Sequence, residues 1–133
     1  MKSKDFEQMK ETMLAYAEEV AGTKRVEYTG ASADVLTNFK RIASRLGLSP
    51  LQVWSVYFNK HVDSVNTYVK GIDKVSETMD SRFADMLNYL FLGMALIIEQ
   101  EEEQEEHPNL SQEENSIEFS YSVALDEHSQ LGI

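Results

Sequence analysis

The chain has no cysteine among its 133 residues, which excludes a disulfide framework, a thiolate metal site and a cysteine nucleophile. It also lacks a glycine-rich phosphate loop, a GxSxG nucleophile elbow and an HExxH zinc pair. The N-terminal segment has no apolar stretch typical of a signal peptide. The apolar run 86–98 is shorter than the roughly 20 residues that span a bilayer. These absences predict a soluble, cytoplasmic protein with no membrane partner.

Basic residues are missing from the C-terminal part of the chain. Residues 99–133 hold eleven acidic and no basic residues, whereas residues 1–98 hold twelve of each. The net charge of -11 therefore belongs to the tail, and the body is neutral. Because nonspecific nucleic-acid binding needs a basic stripe, no direct binding to nucleic acid is expected. The tail is interpreted as a solvated segment, or alternatively as a mimic of a polyanion.

The apolar residues recur with helical spacing in four segments. Glycines at 22, 47 and 71 follow three of them as stop signals. Ser49, Pro50 and Gln52 form the sequence pattern of a capping box at one start. The pattern predicts an all-α, four-helix bundle over residues 1–104. The predicted helices are 3–21, 32–46, 49–71 and 76–104.

The remaining residues, 105–133, are predicted to be an acidic tail outside the bundle. The glutamates at 99–106 lie at the negative end of the last helix dipole and are expected to fray it. Residues 117–125 alternate apolar and polar side chains, which is the period of a strand. A lone strand is unstable, so the tail is predicted to be partly strand-like or disordered.

The last predicted helix is apolar nearly all round between Met86 and Ile98. Three companion helices can cover most of such a surface but leave part of it near water. The sequence therefore predicts a homo-oligomer with this helix at its interface. Leu92 and Ala95 are the expected outward positions.

Polar side chains interrupt that helix along one side, at Glu77, Ser81, Asp85 and Asn88. Such groups beside a buried face need a partner, a metal or a ligand, because unpaired burial costs several kcal/mol. Spacing alone leaves two interpretations open. One is a buried network of salt bridges, for example from Arg82 to Asp85 or Asp63. The other is a ligand pocket between helices three and four.

For a pocket, helix three contributes Lys60, His61 and Asp63. Carboxylates arranged this way can hold Mg²⁺, which bridges to phosphate oxygens. Lys60 and Arg82 would meet the remaining phosphate charge. The spacing therefore allows a pocket that binds Mg²⁺ and a phosphate group as one of the two interpretations.

Residues 35–98 resemble phage proteins of the nucleotide-modification-associated domain family. The similar parts are Asn38-Phe39, Lys60-His61-x-Asp63, Ser76-Glu77 and Arg82-x-x-Asp85-x-x-Asn88-Tyr89. More distantly, the segment resembles the all-α, MazG-like nucleoside triphosphate pyrophosphohydrolases, which bind Mg²⁺ through an ExxE pair and an ExxD pair. This chain has Glu77-x-x-Asp80 but no ExxE pair in helix two or three.

The resemblance implies a phage-type protein that binds or processes a nucleotide in the host cytoplasm, with turnover left open. The predicted metal ligands, for Mg²⁺, are Glu77, Asp80 and Asp85. The predicted nucleotide-binding residues are Lys60, His61, Asp63, Arg82 and Asn88. The alternative is a noncatalytic phage protein that inhibits a host defence protein, with the acidic tail mimicking nucleic acid.

Overall fold

A computed structural model describes residues 1–30, 32–72 and 76–108. Within these ranges the protein is all-α, as the sequence predicted, and forms no strand. The predicted strand at 117–125 lies outside the described residues. The four helices are α1 (Ser3–Thr29), α2 (Thr37–Leu46), α3 (Pro50–Val69) and α4 (Met79–Glu106).

The first helix is longer than predicted, because it continues through Gly22 and ends at Thr29. The left-handed residue that terminates it is Gly30, with φ of 60°. A glycine inside a helix costs about 1 kcal/mol relative to alanine. Contacts with α4 on both sides of Gly22, at Ala17 and Lys24, offset that cost. Packing between helices therefore overrides the local stop signal.

The second helix begins later than predicted, at Thr37 rather than Ser32. The preceding residues form side-chain turns instead. Ser32 Oγ accepts from the Asp34 backbone N–H at 3.2 Å, and Asp34 Oδ1 accepts from the Leu36 N–H at 2.8 Å. Short polar side chains compete with helical hydrogen bonding in this way, which moves the start of α2 along the chain.

The connection from α2 to α3 follows the sequence signals closely. Gly47 ends α2 in the left-handed region, with φ of 66°. The Ser49 hydroxyl accepts from the Gln52 N–H at 3.1 Å, and the Gln52 side chain accepts from the Ser49 N–H at 2.8 Å. The predicted capping box at the start of α3 is therefore confirmed.

The fourth helix begins at Met79, so Glu77 precedes it rather than lying on it. The Thr78 hydroxyl accepts a hydrogen bond from the Ser81 backbone N–H of the first turn at 3.3 Å. Ser76, where the helix was predicted to begin, lies outside α4. At the other end the helix continues to Glu106 despite six glutamates in its last eight residues.

The core lies between α2, α3 and the second half of α4. Its buried residues are Leu36, Phe39, Ala43, Val53 and Leu96. Trp54 packs against this core and donates from Nε1 to the Tyr89 carbonyl at 2.7 Å. Leu92 and Ala95 also pack on the core, so their predicted outward orientation is wrong. A separate contact joins α1 to α4, where Asn88 donates to the Ala17 carbonyl at 2.8 Å.

The chain divides into two compact units, residues 1–97 and 98–133. The described part of the second unit is the end of α4 together with residues 107 and 108. By length and composition α4 could cross a membrane, and only 22% of its most apolar stretch is buried. Core helices of soluble proteins meet the same criterion, so this observation leaves the cytoplasmic location a prediction.

Candidate functional site

A bidentate ion pair joins α1 to α4 inside the helical body. Lys24 Nζ lies 2.8 Å from Asp85 Oδ1 and 3.0 Å from Oδ2. The Asp85 side chain is only 7% exposed, whereas that of Lys24 is 40% exposed. Burial alone would lower the pKa of Lys24, but the hydrogen bond and charge of Asp85 outweigh it, and the pKa is raised. The buried carboxylate therefore has a dedicated cation.

His61 lies on the α3 side of this ion pair. Its ring centroid is 4.9 Å from that of Tyr89, and its buried Nδ1 has no hydrogen-bond partner among the described residues. Burial lowers the pKa of His61; the charge of Asp85 opposes this shift, and the charge of Arg82 reinforces it. The imidazole is therefore neutral near pH 7.

Arg82 makes a second, more exposed ion pair. One of its terminal nitrogens lies 3.2 Å from Glu77 Oε2, and the other donates to Ser76 Oγ at 3.3 Å. The salt-bridge interpretation named Asp85 or Asp63 as the partner of Arg82. The structure instead pairs Arg82 with Glu77 and Asp85 with Lys24.

A cavity of about 270 Å³ opens beside the Lys24–Asp85 pair, between α1, α2 and α4. We call it the α1–α2–α4 pocket. Its aromatic lining comes from Tyr28, Phe39, Tyr89 and Phe91. Its other lining residues are Ala21, Lys24, Arg25, Thr29, Val35, Asn38, Asp85, Asn88 and Leu92. Aromatic faces beside a few polar groups are typical of small-molecule pockets.

Arg25 is the cation of this pocket that has no acidic partner among the described residues. It is exposed and lies next to Lys24 in the chain, whose charge Asp85 already neutralises. A guanidinium presents five N–H donors in a fork that matches phosphate or carboxylate oxygens. The pocket therefore combines an available anion-binding group with stacking surfaces.

The structure separates the eight predicted site residues. Asp85 and Asn88 line the α1–α2–α4 pocket, and the charges of Asp85 and Arg82 both act on His61. Lys60 and Asp63 are exposed on α3 and do not line this pocket. Asp80 lines a different, apolar groove of about 530 Å³.

The three predicted Mg²⁺ ligands do not fit a common metal ion in this arrangement. Asp85 is held by Lys24, Glu77 is held by Arg82, and Asp80 faces the other groove. Over residues 1–30, 32–72 and 76–108, no three acidic, histidine or cysteine side chains come together as metal ligands. The Mg²⁺ site stays a prediction without support from the positions of these side chains.

Sequence reasoning missed Lys24, Arg25 and Tyr28, because it ended the first helix at Gly22. A signal was available in the spacing. Ala17, Ala21, Lys24 and Tyr28 follow one another by four, three and four residues, which places them on one helical face. A lysine on an otherwise apolar face predicts a buried acidic partner.

Alkaline pH offers a test of how Tyr89 is packed. Burial, reinforced by the neighbouring Tyr28, raises the pKa of Tyr89 to about 12 from its ordinary value of 10.0. Because the folded value is the higher one, the neutral phenol stabilises the fold below pH 10, and this contribution is lost between pH 10 and 12. We expect the free energy of unfolding, measured by urea denaturation, to fall less steeply between pH 10 and 12 in Tyr89→Phe than in the wild type. The exposed Tyr68→Phe is the control; equal slopes in all three proteins would contradict the prediction.

Comparison of the chain with protein-family models found no match, and neither did comparison with curated proteins or with solved structures. The resemblance of residues 35–98 to phage nucleotide-modification-associated proteins therefore stays a prediction.

Proposed function

We propose that this protein binds a nucleotide, or a similarly flat and anionic small molecule, in the α1–α2–α4 pocket. The observation that carries the proposal is the exposed Arg25 beside the rings of Tyr28 and Tyr89. A base can stack on an aromatic face, which contributes about 1–3 kcal/mol in single-strand binding proteins. The phosphate can receive charge-assisted hydrogen bonds from the guanidinium.

The size of the pocket favours a mononucleotide. Its volume of about 270 Å³ lies just below the range that is typical of ligand pockets, which is about 300–1,000 Å³. A dinucleotide or a long polyphosphate would extend beyond it. The nearby Asn38 and Asn88 carry amides of the kind that read the edge of a base.

Binding without metal-dependent turnover is the form of the function that the side chains support. Lys24 and Arg82 already neutralise two of the three acidic groups predicted to hold Mg²⁺, Asp85 and Glu77. The third, Asp80, lines the other groove. The proposed function therefore does not include Mg²⁺-dependent hydrolysis of the nucleotide. Arg25 supplies the positive charge that a metal would otherwise bring to the phosphate.

The test is a thermal-shift screen of mononucleotides, with EDTA and with Mg²⁺, followed by calorimetric titration. At a concentration one hundred times its Kd, a ligand should stabilise the fold by about 2.7 kcal/mol. Arg25→Ala should weaken binding by roughly 10-fold or more, since a hydrogen bond to a charged group contributes about 1.5–3 kcal/mol.

The matched control is Arg45→Ala, which removes an exposed arginine of α2 that does not line the pocket. It should bind as the wild type does. The proposal fails if no mononucleotide stabilises the wild type, or if the two arginine variants lose affinity equally. Binding that EDTA abolishes would instead favour the predicted Mg²⁺ site at Glu77, Asp80 and Asp85.

A further inference from the structure

The imidazole of His61 faces α4 with part of its hydrogen-bonding capacity unused. Its Nδ1 is buried and has no hydrogen-bond partner among the described residues. The ring packs against Tyr89 of α4, with the two ring centroids 4.9 Å apart. The Nε of Arg82, also in α4, is a second buried nitrogen without a partner in the described part of the chain. A proton on Nδ1 of His61 would therefore have no acceptor in this arrangement.

The charged groups around His61 are mostly basic. Those that act on its imidazole are Asp85 and Arg82 of α4, Lys24 of α1 and Lys60 of α3 itself. Of these four, Asp85 alone is acidic, and both of its oxygens already accept hydrogen bonds from Lys24. Glu77, whose charge also reaches Lys24, is paired with Arg82 at 3.2 Å. The two acids are thus matched one to one by two bases, and a charged His61 would be a cation in excess.

Protonation of His61 would introduce a charge that the folded arrangement does not pair. Both ring nitrogens of an imidazolium are donors, and burial of an unpaired charge is costly. Two movements relieve this cost. The ring can turn towards water, away from Tyr89, or it can draw Asp85 away from Lys24. Tyr89 and Asp85 both line the α1–α2–α4 pocket, so either movement changes the surface of α4 that faces α1.

The C-terminal part of α1 depends on that surface for its position. Lys24 is held by Asp85, and Asn88, three residues further along α4, donates to the Ala17 carbonyl at 2.8 Å. The side chains of residues 25–28 are exposed. Little apolar burial therefore holds this end of the helix in place, and segments of that kind open at a low cost in free energy.

We propose that His61 is an acid-sensitive switch whose protonation releases residues 22–29 of α1 from α4. Burial, reinforced by the charge of Arg82, lowers the pKa of His61 from its ordinary value of 6.5. The closed arrangement therefore favours the neutral ring. This stabilisation is complete above pH 6.5 and is lost as the pH falls from 6.5 through the lower pKa of the closed form. The inference does not depend on a ligand in the α1–α2–α4 pocket.

Hydrogen exchange of the full chain without ligand, followed by mass spectrometry at pH 7 and pH 5, tests the switch. Rates are corrected for the pH dependence of chemical exchange. We expect amides 22–29 to exchange several-fold faster at pH 5, with an upper limit of about 30-fold. That limit is the ratio of charged to neutral imidazole at pH 5 for a released His61 with its ordinary pKa of 6.5. Amides 39–45 of α2, which lie beside the core, should change less.

Two variants separate His61 from the other histidines. His61→Phe keeps a flat ring that cannot be protonated, so it should remove the acid acceleration in α1. His107→Gln removes an exposed histidine that follows α4, and it should behave as the wild type does.

The wild type supplies a check that needs no variant. Faster exchange should begin near pH 6.5 and level off where histidine NMR shows His61 of the closed form to titrate. The proposal is overturned if α1 exchanges no faster in acid, or if His61→Phe keeps the acceleration. It is also overturned if the amides of α2 accelerate equally, because acid then destabilises the whole body, or if the exchange does not follow the titration of His61.

Discussion

Lys24→Met is expected to lower the free energy of unfolding by about 3 kcal/mol at pH 7. The methionine keeps an apolar stem of similar length and removes the ammonium that lies 2.8 Å from Asp85. Asp85 is 7% exposed, so its carboxylate would remain buried without a partner at hydrogen-bonding distance. Breaking a buried pair in this way costs about 3–5 kcal/mol, and the partial exposure of Lys24 places this case at the lower end.

Urea denaturation followed by circular dichroism measures the effect. Lys10→Met is the control, because its pair with Glu7 has both side chains about half exposed and should contribute less than about 1 kcal/mol. Asp85→Asn added to Lys24→Met should recover most of the loss, since the unpaired charge is then gone. If the double variant is no more stable than Lys24→Met alone, the cost does not come from the buried charge.

Gly93→Ala is expected to destabilise the protein by about 2 kcal/mol, although alanine is the better helix former. A Cβ at this position would lie 2.6 Å from Cε2 and Cζ2 of Trp54. The indole cannot move away freely, because its Nε1 donates a hydrogen bond to the Tyr89 carbonyl. The Phe58 ring also stacks on the indole, with the two ring centroids 5.2 Å apart. Overpacking of this kind costs about 1–3 kcal/mol or more, which outweighs the gain of up to about 1 kcal/mol in helix propensity.

Gly22→Ala is the matched control, because it makes the same change inside α1 where nothing lies within 4 Å of the new Cβ. It should stabilise the protein by up to about 1 kcal/mol. Thermal unfolding of the two variants should therefore shift the midpoint in opposite directions. A lower midpoint for Gly22→Ala would mean that α1 needs its flexibility there, and an unchanged midpoint for Gly93→Ala would mean that Trp54 repacks.

Local signals in the sequence were sufficient to predict part of the fold. The capping box at Ser49 and the left-handed Gly47 depend on residues within a few positions of one another, and both are observed as predicted. Gly22 shows where local reasoning stops. Whether a helix continues through a glycine depends on contacts from elsewhere, here from Asp85 and Asn88 of α4. Such contacts between distant parts of the chain cannot be read from the local pattern.

The candidate site was harder to predict for the same reason. Asp85 was identified correctly as a carboxylate that needs a partner, but its partner lies 61 residues earlier in the chain. The expected partner Arg82 is only three residues away from Asp85, yet it pairs with Glu77. The spacing of residues can identify an acidic side chain on a buried helix face, but it cannot show which of several basic residues forms an ion pair with it. Arg25 and Tyr28 were missed because the loop assigned after Gly22 is helical.

The orientation of α4 shows how an offset of two residues along a helix changes an interpretation. Leu92 and Leu90 are two residues apart, which separates their directions by about 200° around a helix. The first packs on the core and the second is exposed. When a helical segment has few polar side chains, its sequence does not show which face is exposed to solvent. The buried face was fixed only by contacts with Phe39, Val53 and Trp54 from other helices.

Trp54 is the only tryptophan of the chain, and its position makes it a fluorescent reporter of the packing between α3 and α4. Its indole stacks on Phe58, packs over Gly93 and donates to the carbonyl of Tyr89. The Tyr89 ring in turn contacts His61 and lines the α1–α2–α4 pocket. Intrinsic fluorescence excited at the red edge of the indole band therefore follows the separation of α3 from α4. The same emission registers any displacement of Tyr89 by a ligand, without a label being introduced.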